Sequence, residues 1–146
     1  CRIRQAAKST TARYEGVVAA YNEWHAKSTS ETLHALRVAL KKFRYTCEIF
    51  ADLYGKPMKT FIKSLKEIQE TLGQWHDYSV LKNDIEKAKA AAPKKAQPGM
   101  EALAQAVQQK EDDILQKFTT QAAKFFDEKQ QEKARKLFTH THHCQH

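Results

Sequence analysis

Between Glu31 and Gly55 the chain reads ETLHALRVALKKFRYTCEIFADLYG, and its apolar side chains recur at alternating steps of three and four: Leu33, Leu36, Leu40, Phe43, Cys47, Phe50 and Tyr54. In a helix that rhythm stacks them on one narrow face, which has to be buried against other helices. The rest of the chain supplies such partners. Ile3, Ala7, Thr10, Tyr14, Val17, Tyr21 and Trp24 predict a first helix in spite of Gly16, and Met58, Phe61, Leu65, Ile68 and Leu72 predict another after the central one. Tyr78, Leu81, Ile85, Ala88 and Ala92 give a fourth seam. Met100, Leu103, Val107, Ile114, Phe118, Phe125 and Phe138 mark a last long helix over 100–138, interrupted by the polar run Gln108 to Asp113.

The boundaries follow from local chemistry. Thr29 or Ser30 is placed to cap the central helix, with Glu31 at the positive end of its dipole, and Gly55 stops it before Pro57 opens the next. Gly73 is expected to end that third helix, Gln74 to His76 to form a corner, and Asp77 to cap the following one. Lys87 to Gly99 frays from helix into a Pro-bounded linker at 93–99, and 139–146 is a polar tail. With four Gly, three Pro and no alternating β-branched runs, the expected fold is all-α, an antiparallel helical bundle of about five helices in one domain, 1–146. A hydrophobic content of 41 % over 146 residues is enough for a core.

One residue beyond the central seam a second column runs beside it: His34, Arg37, Lys41, Arg44 and Glu48. It is cationic up to Glu48, which is placed to pair with Arg44 one turn earlier and end the column. From His34 to Arg44 it extends about 15 Å, long enough to face an extended anion. Lys42 and Tyr45 widen it. On the next helix Lys59, Lys63 and Lys66 form another basic column. Four basic residues and no acids lie between His34 and Tyr45, and four more without acids between Lys56 and Lys66; these eight equal the whole formal charge of +8. Elsewhere acids and bases balance, so an anionic partner is expected at one place. A solvated helix face is the plain alternative, but such a face normally interleaves acids.

The order L-H-A-L-R-V-A-L-K-K-F-R-Y-T-C-E-I-F resembles the signature helix of the CHAD family, and L-K-E-I-Q-E-T-L-G-Q-W-H-D looks like that family's second landmark. The resemblance is specific from Leu33 to Asp77 and strongest across 31–92. It implies an α-helical domain that binds inorganic polyphosphate or a similar polyanion without chemistry on it. His34, Arg37, Lys41 and Arg44 match the family's pore-lining cations, Lys66 a basic position of the following helix, and Lys63 and Lys42 are weaker matches. Family members usually carry two such halves facing each other, whereas this chain shows one, in the style of the second. The other half is expected to be missing, diverged, or replaced by a second copy of the chain in a homodimer; the chain begins with Cys1 instead of Met, which leaves room for a piece upstream.

Other classes find less support. The basic columns carry few aromatic stackers and no recognition-helix pattern, which leaves nucleic acid as the rival ligand and not the first. An enzyme of phosphate metabolism would want clustered carboxylates for a metal, and acids avoid both columns. His76 and Asp77 receive no catalytic role; glycine-rich phosphate loops and nucleophile motifs are absent, and no cofactor or metal is expected. The tail HTHHCQH holds metal-type donors without a second cluster to complete a site. Three cysteines, one of them on a buried seam, indicate no disulfide framework. No apolar run reaches the length of a membrane span and no signal peptide is visible, so the expected location is cytoplasmic.

Overall fold

The computed structural model describes residues 2–139, and every described element is helical: α1 (Arg2–Ala26), α2 (Ser30–Ile49), the single turn α3 (Ala51–Tyr54), α4 (Lys56–Ala91), a 3-10 turn (Lys94–Ala96), α5 (Gln97–Phe125) and α6 (Glu128–Thr139). The tail from His140 to His146 lies outside the described residues. The helices form two compact units, one built from the residues up to Gln69 with those from Ala122 onward, the other from Glu70–Gln121.

In the first unit the α1 and α2 seams face each other. Ala7, Thr10, Tyr14, Val17 and Trp24 are buried, as are Leu33, Leu36, Leu40, Phe43 and Cys47. Thr29 starts α2 through a capping box: its Oγ1 accepts from the Thr32 N–H, and its own N–H donates to Thr32 Oγ1, both at 3.1 Å. The central helix does not run unbroken to Gly55. It stops at Ile49, turns at Phe50 and resumes as α3, which ends at Gly55 with φ of 74°, a left-handed conformation that glycine adopts without a Cβ penalty.

Four aromatic rings from four elements lock this unit. Phe138 of α6 lies 5.2 Å from the Tyr14 ring, 5.6 Å from Phe43 and 5.4 Å from Phe61, all at edge-on angles that suit ring quadrupoles. The Tyr54 hydroxyl donates to the Phe138 carbonyl at 2.8 Å. On the outside Arg135 grips both carboxylate oxygens of Glu15, at 2.7 and 3.1 Å, and this hydrogen-bonded pairing holds the Glu15 carboxyl below its usual range.

The second unit is a helical hairpin. Lys82 pairs with Glu111 and Lys89 with Glu101, so the partners descend on α5 as they ascend on α4, which makes the two helices antiparallel. Gln97 closes the turn by donating to the carbonyls of Lys89 and Ala92.

Three further expected boundaries are corrected, the first being the linker at 93–99, because α5 already begins at Gln97 and takes in Pro98 and Gly99. No corner forms at Gly73: α4 continues from Lys56 through Ala91, which places His76 and Asp77 in a helix interior and leaves Asp77 no cap to make. Leu72 and Trp75, both buried, continue the seam of Leu65 and Ile68 at steps of four and three, and their burial outweighs the roughly 1 kcal/mol that a helical glycine costs. The long C-terminal helix is not interrupted at 108–113 but breaks after Phe125, where Asp127 Oδ1 accepts from the Gln130 N–H at 2.7 Å and starts α6. A Cβ placed on Gly73 meets nothing within 4 Å. Gly73→Ala is therefore expected to stabilise the protein by about 1 kcal/mol in chemical denaturation, whereas a corner requiring glycine would make it destabilising.

Candidate functional site

Both cationic columns belong to the first unit, and each lies on one uninterrupted helix. On α2, whose regular turns span Ser30–Ile49, the steps 34, 37, 41, 44 and 48 place five side chains on a single stripe. His34 and Lys42 are exposed, while Arg37, Lys41 and Arg44 are half-buried. On α4, Lys59, Lys63 and Lys66 are all exposed and form the second stripe, about 10 Å long.

The two stripes meet at one carboxylate. Glu48 Oε1 lies 3.9 Å from Arg44 Nε on its own helix and 3.7 Å from Lys66 Nζ on α4. Two cations from different helices thus share a single oxygen. The meeting point joins the C-terminal end of the α2 stripe to the C-terminal end of the α4 stripe; His34 to Lys41 and Lys59 to Lys63 extend away from it along their helices. Glu48 therefore ends the column as its spacing implied, but it also reaches Lys66, a pairing that sequence spacing does not reveal.

Arg44 is held by Tyr45 as well as by Glu48. Its guanidinium lies over the Tyr45 ring, 5.6 Å from the centroid, and its Nε is shielded from solvent without a hydrogen bond of normal length. Behind the stripe Cys47 is fully buried, and that burial first, with the neighbouring Glu48 charge second, pushes its thiol up to about 12. It is no nucleophile at neutral pH.

Among the described residues no group of three or more His, Cys, Asp or Glu side chains could hold a metal ion. The His-rich tail lies outside them. No described helix is long and apolar enough to cross a membrane.

A family model described as the CHAD domain matches residues 2–86, more than half of the chain. The match covers α1, α2, α3 and most of α4, hence every residue of both stripes, and ends before α5 and α6. No curated protein and no solved structure matches the chain.

Proposed function

Because the chain belongs to the CHAD domain family, we propose that it binds inorganic polyphosphate, or a closely similar linear polyanion, along the cationic stripes of α2 and α4, and that it performs no chemistry on this ligand. The observation that carries the reading is the approach of Arg44 and Lys66 to one oxygen of Glu48. Two cations that share one carboxylate oxygen are spaced to share one phosphate of a chain, whose neighbouring phosphates then offer further acceptors that an isolated carboxylate lacks. Extending from that point, His34, Arg37 and Lys41 with Lys42 on one helix, and Lys59 and Lys63 on the other, offer successive phosphates further contacts. Each contact releases a condensed counterion.

A phosphate chain suits the stripes better than nucleic acid does. Among the described residues Tyr45 is the large aromatic side chain that stands half exposed, and the Arg44 guanidinium lies over its ring. Base stacking would need more open rings.

Titration with long-chain polyphosphate and with single-stranded DNA of equal charge, across a range of salt concentrations, tests the reading. Polyphosphate should bind more tightly, with log affinity falling linearly against log salt. The double variant Arg37→Ala, Arg44→Ala should bind about ten-fold more weakly and keep its helical signal, since neither residue belongs to the buried seam of Leu33, Leu36, Leu40, Phe43 and Cys47. Equal affinity for the two polymers, or unchanged polyphosphate binding by the double variant, overturns the assignment.

A further inference from the structure

The oxygen that marks the meeting point belongs to an acid, Glu48, on a stripe that is otherwise cationic back to His34. Its distances to Arg44 Nε and Lys66 Nζ, 3.9 and 3.7 Å, are those of charges attracting across a gap and not of direct hydrogen bonds. The Glu48 side chain is 39 % exposed and that of Lys66 55 %, so water screens the attraction and a small rotation frees the carboxylate. Arg44 has less freedom, because its stem is half-buried and its head rests on Tyr45. The carboxylate is the movable partner and Arg44 the fixed one. As an i,i+4 partner on α2, Glu48 adds little to the helix, so a structural role accounts poorly for its place between two cations.

We propose that Glu48 is an internal competitor for the anion, a carboxylate that neutralises the Arg44 and Lys66 pair in the free protein and is displaced by phosphoryl oxygens when a polyanion docks. The inference rests on the polyanion-binding reading above and adds to it a residue that opposes binding. Its consequence is selectivity. An anion that touches only this end of the stripes has to displace Glu48 for two contacts, whereas a chain that also reaches Lys41, Arg37 and His34 spreads the same cost over many.

The test measures long-chain polyphosphate affinity at low salt for the wild type, Glu48→Gln, Lys66→Ala, the Glu48→Gln, Lys66→Ala double variant, and Glu23→Gln. The last removes one exposed acid from α1, a helix that carries neither stripe, and reports the effect of net charge alone. Glu48→Gln should bind roughly three- to five-fold more tightly, the range expected when a half-exposed ion pair is removed as a competitor, and Glu23→Gln should gain much less. The salt dependence of Glu48→Gln should be steeper by up to about one unit, because one more cation is available to the ligand. In the Lys66→Ala background the gain should shrink. Tighter binding by Glu48→Gln that Glu23→Gln matches overturns the proposal, and so does equal or weaker binding, which would make Glu48 a residue that holds the two cations in position. A wild type that does not bind polyphosphate at all overturns the underlying reading as well, so the two failures are distinguishable.

Discussion

Phe138→Ala is expected to destabilise the protein by about 3–5 kcal/mol, the range for truncating a fully buried phenylalanine. Phe138 has no exposed surface, and its ring packs against Tyr14 of α1, Phe43 of α2 and Phe61 of α4. Removing it opens a cavity beside the Tyr14, Phe43 and Phe61 rings, and little backbone is free to collapse into it, because the Phe138 carbonyl accepts the Tyr54 hydroxyl. With total stabilities of about 5–15 kcal/mol usual for a domain, the loss is a large fraction, and a drop of roughly 10 °C or more in Tm follows for a chain of this size. Phe138→Leu, which keeps most of the volume, should cost much less. The same geometry bears on the family match, which ends at residue 86: the matched segment holds Tyr14, Phe43 and Phe61, and the ring that covers them comes from α6. A thermal melt of Phe138→Ala within a few degrees of the wild type would show that α6 is not part of the cooperative core.

The contrast between α2 and α4 shows which parts of this architecture are visible in the residues themselves. The seams of α1 and α2 are local patterns, and every large apolar residue at their centres, from Tyr14 and Val17 to Leu36, Leu40 and Phe43, is buried as its spacing implies. The break assigned to Gly73 fails because a glycine states only a local cost, while the outcome depends on what Trp75 gains two residues later. Trp75 was the available signal, since it extends the steps of Leu65, Ile68 and Leu72. Of the seam expected next, Ile85 is buried, whereas Leu81 is 43 % exposed. The start of α6 had a signal too, in Asp127 followed by Gln130, a capping pattern overlooked inside a run without glycine or proline.

The two stripes are legible for the same reason as the seams: each lies on one helix and follows from residue spacing. Their convergence at Glu48 is not. It depends on how the chain turns between Ile49 and Lys56, through the bend at Phe50 and the left-handed Gly55, and a shift of one residue in that connection would rotate Lys66 by about 100° away from the acid.

Alkaline pH should destabilise the fold in two separable stages. Burial pushes the Cys47 thiol from its ordinary 9.0 to about 12 and the Tyr14 phenol from 10.0 to about 12. Both groups stay protonated in the native state at pH values where the unfolded chain has already released the proton, so the unfolded state binds fewer protons and stability falls as pH rises. The contribution is complete below about pH 9 and is lost progressively toward 12, with Cys47 setting the onset and Tyr14 joining from about 10. At about 1.4 kcal/mol per unit the combined loss is on the order of a few kcal/mol, comparable with the Phe138 truncation. The two groups differ at neutral pH. Cys47→Ala leaves a small cavity and should cost about 1 kcal/mol there while delaying the alkaline fall. Tyr14→Phe should cost nothing or add up to about 1 kcal/mol, because no described residue hydrogen-bonds its buried hydroxyl, and it should flatten the fall above pH 10. Denaturant unfolding from pH 7 to 11 measures both slopes against the wild type, whose surface lysines contribute equally to all three proteins. If neither substitution changes the alkaline slope, the buried thiol and phenol are not what couples this fold to pH.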